Sequence, residues 1–250
     1  MIGIGLQWLL FRQGWGATSH LETGGFARSA PDVPHPNIQF HFLPSTIHDH
    51  GRKMGSQHAF QVHVGPMRST STGQILITSP DPTKPPHIDA NYMANEHDRA
   101  EMRASIRLSR EIFAQPALAN EFAGIELAPG PNKTSDRELD EFVRALGDSA
   151  YHPSCTCRMG SNPDEAAVTQ PNCKVWGLDG LRIVDASIMP SIVSGNLNAP
   201  VIMLAERAAD LIISEQTGHN VMLPPSKAKV WKPKYPRKQR EGEPMIKVNQ

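Results

Sequence analysis

Two short clusters contain residues whose types and spacing could support chemistry. The first, YHPSCTCRMG at 151–160, places His152 among small polar and sulfur-containing side chains. A histidine ordinarily changes charge near neutral pH, so His152 could serve as a general base. Together with Cys155, Cys157 and Cys173 it could instead bind zinc, but no second C-x-x-C or H-x-x-H pair completes such a site. A buried structural histidine is the third interpretation, and these residues alone leave all three open.

The second cluster, DASIMP at 185–190, runs on to GNLNAP at 195–200. Pro200 is a favoured first residue of a helix, so Asn196 and Asn198 are predicted to lie at a helix N-terminus. Unpaired backbone N–H groups and the positive end of the helix dipole attract an anion or a developing negative charge there. The alternative is an ordinary helix cap, because asparagine is a favoured capping residue.

Alternating polarity predicts an antiparallel sheet upstream of these clusters. In the segment 38–43, Ile38, Phe40 and Phe42 share one face, and Gln39 and His41 share the other. Further strands are predicted over 59–64 and 74–78, separated by turns that contain glycine. The three strands together predict one sheet with an apolar and a polar face.

Two helices with clear end signals follow the strands. Asn95 can cap a helix over 96–113, which carries an apolar stripe. Ser135 and Glu138 form a capping box at the start of a second helix, and Gly147 stands where a C-terminal cap belongs. Both patterns are typical of structural helices.

The segments around the two clusters predict a strand and a third helix. A buried strand is predicted over 181–185, and a helix is predicted from Pro200 to about Ser214. Small apolar residues of this helix form a narrow seam that suits close packing on a sheet: Ile202, Ala205, Ala209 and Ile212.

Composition excludes several classes of function. Lysine and arginine together number 25 and balance 25 acidic residues, so no net charge points to nucleic acid. Three cysteines argue against a secreted disulfide framework. We expect no membrane span, because no apolar stretch reaches about 18–20 residues, and we see no targeting signal. Gly3 and Gly5 follow no strand, so a dinucleotide-binding loop is rejected there.

The long motifs resemble the glucose–methanol–choline oxidoreductase family. The resemblance covers roughly residues 1–215 and depends on YHPSCTCRMG, on GLRIVDASIMP at 180–190 and on GNLNAPVIMLAERAADLI at 195–212. Three upstream segments resemble the choline-oxidising members in particular: IQFHFLP at 38–44, VGPMRSTSTG at 64–73 and REIFAQPALA at 110–119. These motifs are long and occur in the family's order, which makes the resemblance specific.

The resemblance implies an α/β fold that binds FAD. It implies an incomplete N-terminal segment at 1–24, an α+β substrate-binding domain with an antiparallel sheet at 25–150 and the C-terminal part of a Rossmann-like FAD-binding domain at 151–217. Residues 218–250 are expected to form a basic, proline-containing and partly disordered tail. The family's N-terminal G-x-G-x-x-G fingerprint is absent, so we expect this chain alone to hold FAD weakly and to be inactive.

The resemblance also implies roles for individual residues. His152 would accept the alcohol proton beside the flavin, and Asn196 would occupy the second catalytic position. His41 and Gln39, on the polar face of the sheet, would contact the substrate. Four further positions would touch the flavin: Asp185, Ala186, Asn198 and Ala199. No metal is expected.

The implied reaction is the oxidation of choline to betaine aldehyde, a step toward glycine betaine. Family members of this type imply a mitochondrial location with inner-membrane association and an electron acceptor other than oxygen. No nucleic-acid partner is expected. Two alternatives remain at this stage: a relative that oxidises another alcohol, and a truncated form without catalytic activity.

Overall fold

The computed structural model describes residues 2–18, 21, 23–48, 52–55, 58–119, 124–163 and 167–221. The chain divides into two compact units. The first unit contains Met1–Pro66 and Arg99–Val143, and the second contains Met67–Asp98 and Arg144–Gln250. The division into domains predicted from the sequence stays a prediction, and most of the predicted basic tail, from residue 222 onward, lies outside the described residues.

The first unit contains helices and a small antiparallel sheet. Its elements are α1 (Ile2–Phe11), a 3₁₀ turn (Trp15–Ala17), β1 (Thr23–Ala27), β2 (Ile38–Leu43), β3 (Ile47–His48), β4 (Lys53–Met54), β5 (Gln61–Pro66), most of α2 (Glu96–Phe113), α3 (Pro116–Ala119) and most of α4 (Asp136–Leu146). The strands form a three-stranded sheet in the order β1-β2-β5 and a separate ribbon of β3 with β4. The α/β class predicted from the sequence is confirmed.

The second unit is richer in irregular backbone. It contains a ribbon of β6 (Gln74–Leu76) with β7 (His87–Asp89), a 3₁₀ turn (Ala186–Ile188) and the 20-residue helix α5 (Asn198–Thr217). The strand predicted over 74–78 therefore exists in shorter form. It pairs with β7 in a ribbon of its own, so its predicted place in the first sheet was wrong.

The apolar face of the three-stranded sheet packs on α2. Ile38 and Phe40 from β2 and Leu108 from α2 form a buried cluster. Val62 and Val64 of β5 pack against this cluster from the neighbouring strand. The predicted alternation is confirmed from Ile38 to His41, where Gln39 and His41 lie outside this core. It does not continue to the end of β2, because Phe42 is half-buried and Leu43 is buried.

The predicted helix ends in this region are confirmed by their hydrogen bonds. Asn95 Oδ1 accepts a hydrogen bond from Asp98 N at 2.9 Å, as expected of an N-cap. The Glu138 carboxylate accepts from Ser135 N at 3.0 Å and from Ser135 Oγ at 2.6 Å, and Ser135 Oγ accepts from Glu138 N at 3.4 Å. This reciprocal arrangement is the predicted capping box at the start of α4.

Two features near the chain's apolar segments differ from the sequence predictions. The segment 2–11 is a helix with every residue exposed, although no helix was predicted there, and both early glycines lie inside it. The segment 181–185 forms only an isolated bridge between Lys174 and Arg182, and Leu181 is 48% exposed, so the predicted buried strand was wrong. Backbone hydrogen bonds from Val175 N to Leu181 O and from Ile183 N to Cys173 O flank this bridge.

The buried face of α5 is also displaced from the predicted seam. Ala208 is buried and Leu204 packs beside it, against Cys173 and Ile188. Ile202, by contrast, is 56% exposed. The helical pattern alone could not select between two adjacent apolar faces, because both consist of small and aliphatic residues. No helix among the described residues is long and apolar enough to cross a membrane.

Our first prediction concerns the ion pair between α2 and α4. Arg103 is 6% exposed, and its Nη1 donates to both carboxylate oxygens of Asp140 at 3.0 Å. We expect Arg103→Met to lower the free energy of unfolding by about 3 kcal/mol, because a nearly buried carboxylate loses its main partner. Because Arg99 Nε also lies 4.0 Å from Asp140 Oδ2, we expect the loss of stability to fall at the lower end of the range for broken buried ion pairs.

The matched control is Arg137→Met, which removes an exposed pair with Glu141 on α4. We expect this change to alter stability by less than about 0.5 kcal/mol. Chemical denaturation of the parent and both variants measures the difference. Equal changes in the free energy of unfolding at the two arginines would show that burial does not increase the contribution of the Arg103 pair to stability.

A second prediction concerns Asp98, which fastens the loop after β5 within the second unit. The Asp98 carboxylate is 2% exposed and accepts from Thr70 N and Ser71 N, each at 2.8 Å. Burial raises the pKa of Asp98, but the hydrogen bonds from Ser71 and Thr70 outweigh burial and hold that pKa below its ordinary value. Because the folded-state pKa is lowered, ionised Asp98 stabilises the fold above about pH 4, and this stability is lost as the pH falls through the folded-state pKa.

We therefore expect Asp98→Asn to lower the free energy of unfolding by about 1–3 kcal/mol at pH 7, since an amide nitrogen would face a backbone N–H. The difference from the parent should shrink under acid, where the parent protonates Asp98 and loses the same bonds. Exposed Asp179, changed to asparagine, is the control. A difference that stays constant with pH would contradict the role of the ionised carboxylate.

Candidate functional site

A backbone ladder in the second unit brings the two chemical clusters together. Cys157 N donates to Ser187 O at 2.9 Å, and Met159 N donates to Ile188 O at 2.8 Å. Cys155 N donates to Ala186 O at 3.3 Å. The segment that follows His152 thus runs along the 3₁₀ turn that follows Asp185, although 26 or more residues separate them in the sequence.

The same ladder lies on an apolar cluster that includes α5. Ile188 is completely buried and packs with Cys173 and Ala208, and Cys157 and Met159 pack against this cluster. A buried residue of α5 therefore contacts the apolar cluster on which the ladder packs. This packing fixes the start of α5, and the turn before it, relative to His152.

His152 makes two hydrogen bonds that determine its tautomer. Its Nδ1 lies 3.0 Å from the carbonyl oxygen of Tyr151, and its Nε2 lies 2.9 Å from Nδ2 of Asn196. A carbonyl oxygen can only accept, so the neutral ring carries its proton on Nδ1. Nε2 is then the acceptor for the Asn196 amide, and it is the nitrogen that can take up a proton.

The backbone before His152 is held in an uncommon conformation. Tyr151 has φ +60°, a value in the left-handed region that is rare for a large side chain. Its N–H donates to Ser149 Oγ at 3.0 Å. This turn aims the Tyr151 carbonyl at the histidine ring, so Tyr151 and Ser149 belong to the site. Sequence reasoning missed both, because a positive φ leaves no signal when the residue is not glycine.

Asn196 contacts the histidine and does not cap the helix. The N-cap residue of α5 is Leu197, which is buried and makes no side-chain capping bond. The first helical hydrogen bond runs from Val201 N to Leu197 O at 2.8 Å. The capping alternative for Asn196 was therefore wrong, while its predicted place before α5 is confirmed.

The four residues expected near a flavin lie at two places in the second unit. Asp185 is exposed, and its Oδ1 accepts from Ser187 N at 2.8 Å, so its carboxylate caps the 3₁₀ turn that begins at Ala186. Asn198 and Ala199 are exposed in the first turn of α5. Their contact with a cofactor stays a prediction.

The two residues expected near the substrate lie in the first unit. Gln39 and His41 are half-buried on β2, on the face opposite the core. His41 pairs with His63 of β5 and with Gly24 of β1. The polar face predicted from the sequence is confirmed, and the approach of its side chains to His152 stays a prediction.

The cysteines near His152 are not arranged as metal ligands in the described part of the chain, where no three histidine, cysteine or acidic side chains come together. Cys173 is 4% exposed within the apolar cluster, and burial raises the pKa of its thiol. A raised pKa keeps the thiol protonated, which disfavours the thiolate that a metal requires.

Comparison with known proteins places this site in a defined class. The family model for GMC oxidoreductase matches residues 69–205, more than half of the chain. This range contains the ladder, His152 and Asn196. The chain belongs to the GMC oxidoreductase family, as the motifs indicated.

Two relatives of high sequence identity are named choline dehydrogenases. Mitochondrial choline dehydrogenase of Mus musculus is 60% identical over 209 residues, which are 84% of this chain and 35% of the relative. Oxygen-dependent choline dehydrogenase of Vibrio vulnificus (strain YJ016) is 49% identical over 243 residues, 97% of this chain and 42% of the relative. The chain thus spans about two fifths or less of the length of these relatives.

A solved structure shows the same fold at lower identity. Pyridoxine 4-oxidase from Mesorbium loti superposes with a TM-score of 0.70 at 28% identity, covering 81% of this chain and 39% of that one. The described backbone is therefore that of a GMC oxidoreductase over most of its length.

The third prediction tests the tautomer of His152. In ¹⁵N NMR spectra of histidine-labelled protein we expect His152 to carry its proton on Nδ1 alone, because the Tyr151 carbonyl accepts there. Asn196→Asp should give a ring protonated on both nitrogens, since a carboxylate at Nε2 stabilises the charged form. Asn196→Leu is the control and should keep the Nδ1–H form. A parent spectrum with the proton on Nε2 would contradict this geometry.

Proposed function

We propose that this chain forms the catalytic part of an FAD-dependent enzyme that oxidises choline to betaine aldehyde. The observation that carries the proposal is the pair formed by His152 and Asn196, in which an unprotonated Nε2 faces an amide donor at 2.9 Å. The names of the mouse and Vibrio relatives, both choline dehydrogenases, support choline as the alcohol.

The pair suits the first requirement of alcohol oxidation, which is removal of the hydroxyl proton. The substrate hydroxyl would replace the amide of Asn196 as the partner of His152 Nε2, and Nε2 would take its proton. The Tyr151 carbonyl would stabilise the imidazolium that forms, because it already accepts from Nδ1. Asn196 Nδ2 would then donate to the alkoxide oxygen and hold the substrate in place.

FAD, when bound, would accept the hydride that the alkoxide carbon releases. The N-terminus of α5 fits such a cofactor, because this 20-residue helix begins without a side-chain cap. The backbone N–H groups of its first turn, at Asn198 and Ala199, and the positive end of its dipole suit the negative charge of a reduced flavin ring. Asp185 and Ala186 would border the same cofactor, as the family resemblance implies.

On the substrate side, His41 and Gln39 would contact the alcohol. Their half-buried positions on the polar face of β2 support this role, because the face carries hydrogen-bonding groups and backs onto a rigid core.

The similarity to pyridoxine 4-oxidase supports a second candidate function, in which His152 and Asn196 act in the oxidation of a different alcohol.

The cellular setting belongs to the proposal as well. The mouse relative is mitochondrial by name, which supports a mitochondrial location, and inner-membrane association stays an expectation from the resemblance. An acceptor other than oxygen was expected, whereas the Vibrio relative is named oxygen-dependent. Oxygen uptake during choline turnover, with and without an artificial acceptor, distinguishes the two.

The fourth prediction tests the pair directly in the FAD-loaded enzyme, with the chain joined to an upstream FAD-binding half, because these residues alone are expected to hold FAD weakly. We expect His152→Ala to lower kcat for choline by about 10²–10⁴-fold with FAD content unchanged, because the alcohol loses its proton acceptor. Asn196→Ala should lower kcat by about 10²-fold. The double variant should lose much less than the product of the two factors, since the residues act on one oxygen.

The matched control is His87→Ala, which removes an exposed histidine from β7 in the same unit. Its turnover and FAD content should equal those of the parent. Near-parental turnover by His152→Ala would overturn the proposed mechanism, and a parent that oxidises other alcohols but not choline would overturn the proposed substrate.

A further inference from the structure

The turn that leads into His152 contains a short series of hydrogen bonds that ends on the histidine ring. Ser149 N donates to Asp148 Oδ1 at 2.7 Å, and Tyr151 N donates to Ser149 Oγ at 3.0 Å. The carbonyl oxygen of Tyr151 lies 3.0 Å from Nδ1 of His152. All four residues belong to the second unit. The ring of His152 is therefore coupled to the hydroxyl of Ser149 through the backbone of Tyr151.

The backbone conformation of Tyr151 is one that a tyrosine adopts only under constraint. Its φ of +60° lies in the left-handed region, which is unfavourable for a bulky residue with a Cβ atom. The side chain of Tyr151 is 67% exposed, so packing of the ring contributes little to holding this conformation. The hydrogen bond from Tyr151 N to Ser149 Oγ orients the N–H on one side of the residue. This bond offsets part of the cost of the left-handed conformation.

The conformation of Tyr151 determines where its carbonyl oxygen points, and that oxygen specifies the tautomer of His152. A neutral imidazole carries its proton on either nitrogen, and the hydrogen bond that one nitrogen makes decides which. The other partner of the ring, the amide of Asn196, can present a donor or, after a flip, an acceptor, whereas a carbonyl only accepts. Rotation of Tyr151 to a negative φ would turn the carbonyl away from Nδ1. The form with its proton on Nε2, which cannot take up an alcohol proton there, would then become populated.

We propose that Ser149 is a positioning residue for proton removal, because its hydroxyl holds Tyr151 in the left-handed conformation and thereby keeps Nε2 of His152 unprotonated. The inference rests on the proposed function, in which Nε2 takes the proton of the alcohol. Ser149 would act through the backbone of its neighbour and would take no part in the chemical step. The motif at 151–160 begins two residues after Ser149, so the sequence assigned no role to this hydroxyl.

The first measurement is the tautomer of His152 in ¹⁵N NMR spectra of the histidine-labelled, FAD-loaded enzyme, with the chain joined to an upstream FAD-binding half. The signals of His152 are identified by their absence from the spectrum of His152→Ala. We expect Ser149→Ala to populate the form with its proton on Nε2, because the Tyr151 carbonyl is no longer held at Nδ1. Ser149→Thr keeps a hydroxyl at the same position and should keep the proton on Nδ1 alone.

The second measurement separates positioning of the base from binding of the alcohol. We expect Ser149→Ala to lower kcat for choline by about tenfold, the size of effect that one net hydrogen bond supports, and to change KM by less than about twofold. Ser149→Thr should recover most of the lost kcat. The matched control is Ser161→Ala, which removes an exposed serine hydroxyl from the same unit and should leave both the tautomer and kcat unchanged.

A pair of variants at Tyr151 tests the backbone conformation without changing Ser149. Tyr151→Val introduces a β-branched residue, for which a positive φ is most costly, and should reproduce the change of tautomer seen in Ser149→Ala. Tyr151→Asn removes the same ring but tolerates the left-handed region, and should keep the proton on Nδ1. Added to Ser149→Ala, Tyr151→Asn should restore part of the lost kcat. Thermal denaturation and FAD content show whether each variant is folded, and if Ser149→Ala is not, the Tyr151 pair decides alone.

The outcomes separate this inference from the proposed function. A parent that does not oxidise choline overturns the proposed function, while the spectra still decide whether Ser149 sets the tautomer of His152. A proton that stays on Nδ1 in both Ser149→Ala and Tyr151→Val overturns the inference alone, and so does a change of tautomer without a loss of kcat. Equal losses of kcat in Tyr151→Val and Tyr151→Asn would assign the effect to the tyrosine ring and would likewise overturn it.

Discussion

The backbone ladder between Cys155–Met159 and Ala186–Ile188 is the constraint on which the site depends. It joins two segments that are distant in the sequence, and each of them continues into residues with a proposed chemical role. The ladder packs on the apolar cluster of Cys173, Ile188 and Ala208. Because Ala208 belongs to α5, burial of this cluster also places the turn that carries Asn196.

The small size of the cluster residues explains how a helix and a ladder can approach so closely. Cys173 and Ala208 are 4% and 1% exposed, and neither has a side chain longer than one heavy atom beyond Cβ. Close approach brings Asn196 within hydrogen-bonding distance of His152. Backbone strain is found at Tyr151, whose positive φ turns its carbonyl toward the ring.

The two units use polar side chains in similar ways to hold neighbouring backbone. Asp98 accepts hydrogen bonds from the backbone of Thr70 and Ser71, and Gln61 accepts one from Ile47. In the first case the N–H groups belong to the loop after β5, and in the second the N–H belongs to the two-residue strand β3. In both cases the acceptor is a side chain on a longer regular element. Such bonds give a loop a definite position at the cost of only one ordered side chain.

The sequence by itself determined the family and three local features: the strand at Ile38–Leu43, the helix at Glu96–Phe113 with its Asn95 cap, and the capping box at Ser135. These signals depend on neighbouring residues alone. Only the tertiary structure decided that 181–185 forms no strand, that Ala208 rather than Ile202 faces the cluster, and that Asn196 binds His152 and not the helix end. It also paired His63 with His41. These outcomes depend on which distant segments meet, and a one-dimensional pattern of polarity does not contain that information.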